Sequence, residues 1–408
     1  MSSADIIKDD GKAQAPADGA AGALPEARKK EEVTLRINGV NWVGWTSFEA
    51  TREIDSICGQ FALGLVDRWM PGMEALPIAA GMPCEVVLGE GDPLFNGYID
   101  KVDFSLAMGN HAIQITGREK AEDLVDCSAV HTPGTWKGLK IQELLKELAK
   151  PFDITIAFNK NVDLGPPFPV FKLEEGETAF DAMDRALKLR ELLVVPYGDG
   201  RLVITKLADY HIKTPLVQGE NVLEASASYD MADRFSDYIV KGQAQGTDTN
   251  YGASVATVRG EARDESVERY RPFLVRAENQ VDTASAIKRA KWEATTRAAR
   301  SVTLTVKVRG WRREGDSLWD INYLVMAKLP YLRIKQELLI SKVTYSLTLT
   351  GGTVATLELR DPKAFDPEPP KKDSKSGSSS GGTLGGPELL QASADSAWTA
   401  HDEKTGGL

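Results

Sequence analysis

One stretch of this chain occurs twice. Ile99-Asp100-Lys101-Val102-Asp103-Phe104-Ser105-Leu106 lines up with Ile340-Ser341-Lys342-Val343-Thr344-Tyr345-Ser346-Leu347; the two share Ile, Lys, Val, Ser and Leu and set an aromatic against an aromatic. The offset is 340 − 99 = 241. Held without a gap, it also brings Phe61, Leu63 and Leu65 opposite Val302, Leu304 and Val306, and Cys84 opposite Val325. Alternating apolar and polar residues are the signature of half-buried strands. Each copy ends in a Gly-containing hairpin turn and one more alternating strand, so the chain reads as two copies of one β unit with other sequence between them.

The rest of the chain is placed around this repeat. Residues 1–31, rich in Ala, Pro, Lys and Glu, have no apolar period and read as a flexible leader. Residues 32–130 hold many short strands in little sequence, the pattern of a barrel or sandwich. In 131–216 the period changes. Leu139, Ile141, Leu144, Leu145 and Leu148 predict an amphipathic helix ended by Pro151, and Thr178 is the expected cap of a second helix carrying Phe180, Met183 and Leu187. A hairpin closed around Gly198-Asp199-Gly200 completes a small α+β unit. Residues 217–362 return to β, with one helix from about Thr283 to Arg300, and 363–408 run from a Pro- and Lys-rich stretch into Ser and Gly, a flexible tail. Within that tail, Leu389, Leu390 and Trp398 are either spare sequence or a docking peptide.

The chemistry that composition allows is narrow. With 49 Lys+Arg against 59 Asp+Glu the net charge is -10, the wrong sign for a protein whose affinity comes from neutralising phosphates. Cys58, Cys84 and Cys127 are too scattered for a disulfide framework or thiolate metal site and read as small buried thiols. No two of His111, His131, His211 and His401 share helical metal-ligand spacing. No apolar run reaches the roughly 18 residues of a membrane span, and the N-terminus lacks the order of a signal peptide, so folding in a reducing cytoplasm is expected. Glu174, Glu175 and Glu177 fit a helix N-terminus better than a catalytic pair. Asp123 and Asp126 have no further ligand nearby, and His131 has no nucleophile at recognisable spacing. No phosphate-cradling loop is present. The expectation is no catalytic, cofactor-binding or metal-binding residue, and no enzyme.

Two features remain as candidates for contact. Among the eight tryptophans, Trp42 and Trp45 fall among strands of the first copy, while Trp311 and Trp319 follow a strand of the second. Core packing is the commoner role for any one of them, but the amphipathic ring also suits an interface, and Trp311, Trp319 and Trp398 are singled out for that role. The polar loop Gly242–Gly252 is expected to order on binding a partner.

The order of short motifs then resembles a known family. Leu94-Phe95-Asn96-Gly97-Tyr98-Ile99-Asp100 is followed by Ile115-Thr116-Gly117-Arg118 and Asp123-Leu124-Val125-Asp126-Cys127-Ser128. Next come Gly176-Glu177-Thr178, Gly200-Arg201-Leu202-Val203-Ile204, Arg269-Tyr270-Arg271-Pro272 and Leu338-Leu339-Ile340-Ser341-Lys342-Val343. Over roughly residues 33–362 this looks like the baseplate hub proteins of contractile-tailed bacteriophages, the Mu-like gpP tail family. It is similar, more distantly, to late control protein D and to the hub part of type VI secretion spikes. The resemblance implies an α+β, mainly β fold: two related tail-tube-like β-barrels with an inserted α+β unit.

It also implies a homotrimeric structural hub that meets the tail tube protein, the central spike protein, baseplate wedge proteins and the tape-measure protein. DNA would pass through without specific binding, and the host envelope would be reached only through the spike. The particle would assemble in the host cytoplasm and the hub would reside in the virion baseplate. The rivals are a tail-associated peptidoglycan hydrolase, a carbohydrate-binding module using the tryptophans, and the hub of a genome-free contractile injection particle.

Overall fold

The computed structural model describes residues 31–366 apart from 68–76, 90, 108–109, 161, 208–209, 243–257, 278–281 and 314–316. The leader, the tail with Trp398, and all but the first residue of the Gly242–Gly252 loop lie outside the described residues.

In chain order, the first copy holds β1 (Val33–Ile37), β2 (Val40–Trp42), β3 (Ser47–Glu53), β4 (Gln60–Asp67), β5 (Pro83–Leu88), β6 (Asp92–Ala107) and β7 (Asn110–Glu119). The middle unit holds α1 (Glu122–Asp126), β8 (Thr135–Leu139), α2 (Ile141–Ala149), β9 (Ile156–Phe158), β10 (Phe168–Lys172), α3 (Ala179–Lys188), β11 (Leu193–Pro196) and β12 (Leu202–Thr205). Then follow β13 (Tyr210–Val217), β14 (Val222–Tyr229), β15 (Asp237–Gly242), β16 (Val258–Arg263), β17 (Pro272–Arg276), α4 (Thr283–Arg300), β18 (Val302–Arg309), β19 (Tyr323–Leu329), β20 (Ile334–Thr348) and β21 (Gly352–Arg360).

Thirteen strands form one sheet in the order β14-β18-β21-β20-β3-β4-β7-β6-β5-β1-β2, with β19 beside β20 and β13 beside β19. The repeat is visible in it. The antiparallel run β4-β7-β6-β5 has its counterpart in β18-β21-β20-β19. A register shift falls between Ile99 and Lys101 on β6 and between Ile340 and Lys342 on β20, the same point of both copies. Cys84 faces Gly97 as Val325 faces Leu338, so that part of the sequence alignment holds.

The alignment of β4 does not hold. Leu63 lies across from Ile115 and Val306 across from Leu357, which makes Val306, not Leu304, the counterpart of Leu63. A slip of two residues keeps every side chain on its own face, so strand alternation was blind to it.

The two copies share one core, in which Phe48, Leu63 and Phe95 join Val306, Trp311 and Tyr345. The middle unit has its own. Leu144, Leu145 and Leu148 of α2 pack with Ala182, Met183 and Leu187 of α3, over Ile156, Val194 and Ile204 of the sheet β11-β12-β9. Thr178 caps α3 as its sequence predicts: its hydroxyl accepts from Asp181 N at 3.0 Å and Asp181 accepts from Thr178 N at 3.3 Å. The tip of the β11–β12 hairpin lies on the start of β6. A Cβ at Gly198 would stand 1.9 Å from the Pro93 carbonyl oxygen, so only glycine permits this approach.

The stretch read as one β region also contains a separate small unit. The sheet β16-β15-β17 packs on α4 around Tyr238, Val240, Val258, Ala286 and Ala290. In the first copy β3 passes to β4 through residues 54–59; in the second, this unit stands between the corresponding strands β14 and β18.

Candidate assembly interface

The two copies meet along a strand pair. β20 gives the first half of one edge to β19 and the second half to β3, where Lys342, Val343, Thr344, Tyr345, Ser346, Leu347 and Thr348 face Glu53, Arg52, Thr51, Ala50, Glu49, Phe48 and Ser47. Lys342 Nζ lies 3.1 Å from the Glu53 carboxylate, and the Thr51 and Thr344 hydroxyls are 3.1 Å apart. On the core face Tyr345 covers Ala50 and is fully buried. Its hydroxyl donates to the Trp319 carbonyl.

The sequence candidates Trp311 and Trp319 belong to this junction. The Trp311 ring packs edge-on against Phe48 with centroids 5.7 Å apart, and its Nε1 donates to Ser346 O at 3.1 Å. Trp311 is 1% exposed and Trp319 2%. Trp311 therefore joins the two copies from inside, Trp319 is held behind it by its backbone bonds to Trp311 and Tyr345, and neither offers its ring to solvent. Trp45 is likewise buried and Trp42 lies partly buried against the same core. Trp398 lies outside the described residues.

A charged cluster that the sequence did not announce locks the junction. Arg52, 4% exposed, donates from Nη1 to Asp320 at 3.2 Å and from Nη2 to the Pro196 carbonyl, and sits 3.6 Å from the Glu119 carboxylate. One guanidinium thus ties β3 to the end of β7, to the middle unit and to the loop before β19. Its planar fork donates to two acceptors, Asp320 and the Pro196 carbonyl, while keeping the Glu119 carboxylate within ion-pair reach, which an ammonium would not do in one geometry. Burial works against its charge, but Asp320 and Glu119 outweigh it and raise its pKa further. For Glu119 burial wins over Arg52 and the Gly59 N–H, and its pKa is pushed up to about 7.

At the register shift of β6 a second cluster forms. Arg118 donates to Asp100 at 2.9 Å and Asp126 at 3.0 Å and pairs with Glu122 at 2.9 Å. Burial beside Asp100 pushes Glu122 up to about 7.

The remaining sequence candidates are dispersed. Asp126 is taken by Arg118. Glu177 accepts from Arg185 at 2.9 Å and from Glu174 N at 2.7 Å, so its role is to hold the approach to α3. His131 stands 3.5 Å from Glu147 and against Trp136. Cys84 is buried and Cys58 partly so, with burial pushing both thiols up to about 12. Cys127 corrects the expectation of three buried thiols: it is exposed, at the C-cap of the short α1. Among the described residues no three His, Cys, Asp or Glu side chains group as a metal site.

Three family models match successive parts of the chain. The family "Mu phage baseplate assembly protein GpP-like, N-terminal" matches residues 32–119, "Baseplate hub protein gp44-like, second domain" matches 121–206, and "Mu phage baseplate assembly protein GpP, fourth domain" matches 282–368. Baseplate hub protein gp44 of Escherichia phage Mu is 33% identical over 382 residues, which cover 91% of this chain and 98% of gp44. The chain belongs to the Mu baseplate hub family. It is a baseplate hub protein of a phage tail and so a component of the virion.

The 43 kDa tail protein of prophage MuSo2 from Shewanella oneidensis has the same fold, with a TM-score of 0.73 at 28% identity over 82% of this hub and 99% of that chain. A tail protein from Neisseria meningitidis MC58 shares the fold at 22% identity, with a TM-score of 0.66 over 83% of the hub and 98% of that chain. The family matches leave 207–281 between them, the stretch that contains β13 to β17.

Proposed function

We propose that this hub works as a homotrimer whose six β copies form a pseudo-hexameric ring. The ring would adapt a hexameric tail tube to a trimeric central spike and leave a conduit through which the genome is ejected. A ring of six and a ring of three have only the threefold rotation in common, so a trimer carrying one copy per chain would meet three of the six tube positions and leave the other three unmatched. A chain with two copies of one β unit offers six similar positions to the tube while keeping three identical chains for the spike. The observation that carries this reading is the β20–β3 ladder, which sets one copy beside the next edge to edge within a single chain.

In this arrangement the units 32–130 and 217–362 are the two ring positions, the second carrying the β15–β17 and α4 unit. Residues 131–216 are inserted between them. Trp311 and Trp319 hold neighbouring ring positions together, and Trp398 would contact a partner from the tail. The -10 charge suits a wall that must not retain phosphates. The role is structural: tube, spike, wedge and tape-measure proteins are the partners, and assembly takes place in the host cytoplasm. The mass of the purified chain in solution tests the proposal. Three times 44.4 kDa is expected, and a monomer at every concentration overturns it. Clearing of purified peptidoglycan by the chain would overturn the non-enzymatic part.

A further inference from the structure

The repeat also specifies where one chain meets the next. β6 corresponds to β20, and like β20 it gives the first part of its outer edge to a neighbour, β5, as far as Tyr98. Beyond the register shift, β20 continues onto β3, whereas Lys101–Ala107 of β6 has no strand on that side among the described residues. β3 corresponds in turn to β14, since Phe48 faces Leu63 as Ala225 faces Val306. β14 pairs with β18 on one edge and with no described strand on the other. The chain therefore ends its sheet in one open edge of the β20 kind and one of the β3 kind.

The side chains along both edges are those of an uncovered junction. Tyr345 is 0% exposed where β3 covers it, while its counterpart Phe104 is 61% exposed. Leu106 is 82% exposed on the same face of β6, and Tyr229 56% on β14. Long apolar open edges are rare on isolated subunits because they invite pairing.

We infer that Lys101–Ala107 of one chain pairs antiparallel with β14 of a second copy, in the register of the internal β20–β3 ladder. Carried over residue by residue, that register sets Lys101 opposite Asp230, Val102 opposite Tyr229, Asp103 opposite Ser228, Phe104 opposite Ala227, and Leu106 opposite Ala225. The chemistry matches at three of these steps. The Lys342–Glu53 ion pair becomes Lys101–Asp230, the aromatic Tyr345 over Ala50 becomes Phe104 over Ala227, and Leu106 finds a small partner in Ala225. Lys101 pairs with Asp103, both of them half exposed or more, and such a surface pair is weak enough to exchange. The contact is head-to-tail, each chain using a different edge on either side, so it propagates until a ring closes. It rests on the trimeric reading above and adds the edges and the register.

The test uses the full chain with Cys127→Ser, carrying Phe104→Cys and Ala227→Cys together, under mild oxidation. A covalent three-chain species on a non-reducing gel is expected. Each single variant alone should stay uncrosslinked, and an equimolar mixture of the two should give two-chain product only. A trimer by mass that forms no crosslink at this pair overturns the register and leaves the trimer standing; a folded monomer overturns the trimer itself. Charge reversal supplies a second arm. Lys101→Glu or Asp230→Lys alone should weaken assembly about fivefold, the scale of one exposed ion pair, and the double reversal should recover it. Equal loss in the double variant counts against the pairing.

Discussion

Arg52 on β3 and Asp320 before β19 stand 3.2 Å apart although 268 residues separate them in the chain. Their contact crosses the junction between the two copies, and the same guanidinium also reaches Pro196 of the middle unit and Glu119. Removing one partner of a buried charged cluster leaves the others unmatched, which costs more than the net value of the pair. Arg52→Ala is therefore expected to destabilise the chain by about 3–5 kcal/mol, read from urea unfolding. Arg52→Lys should recover only part of this, because a single ammonium does not replace the fork. A loss below about 1 kcal/mol for Arg52→Ala would mean that the cluster is not what holds the junction.

The pH dependence of stability follows from Glu119. Its carboxyl is pushed up to about 7 by burial, above its unfolded value near 4.3. The folded state then binds more protons than the unfolded state across that interval, so stability falls as pH rises from about 4.3 to 7 and is level above. Glu122, also raised to about 7, adds to the same slope. Glu119→Gln should flatten its share of the slope while Gly59 N keeps an acceptor; denaturation midpoints between pH 5 and 8 measure this. An unchanged slope would assign the effect elsewhere.

Trp311 fills the space between Phe48 and the loop that carries Trp319, and it is 1% exposed. Trp311→Ala opens a cavity and leaves the Ser346 carbonyl without its donor. A loss of about 3–5 kcal/mol is expected, with Trp311→Phe intermediate. Thermal unfolding of the three proteins gives the ranking.

Gly198 tests how the middle unit is seated. Alanine there would bring its Cβ to 1.9 Å from Pro93 O, so the hairpin tip must lift off β6. About 1–3 kcal/mol of destabilisation is expected, along with faster hydrogen exchange at the start of β6. Wild-type exchange in the variant would show that the hairpin moves without disturbing the strand.

The sequence by itself determined what is periodic and local. Alternation along β6 and β20 marked them as strands and as copies, the 3.6-residue stripe of Leu144, Leu145 and Leu148 placed α2, and Thr178 marked the start of α3. The tertiary structure decided what depends on lateral partners. Alternation tells a strand which face is buried but not which strand lies along its edge, and it does not register a slip of two. For that reason Val306 rather than Leu304 answers Leu63, and the edge of β3 that β4 leaves open is covered by β20 of the other copy. The same blindness hid the β15–β17 unit, whose small core needs α4 from further along the chain. It hid the Arg52 cluster as well, since a lone arginine in a strand looks like any solvated charge until the fold brings Glu119 and Asp320 around it.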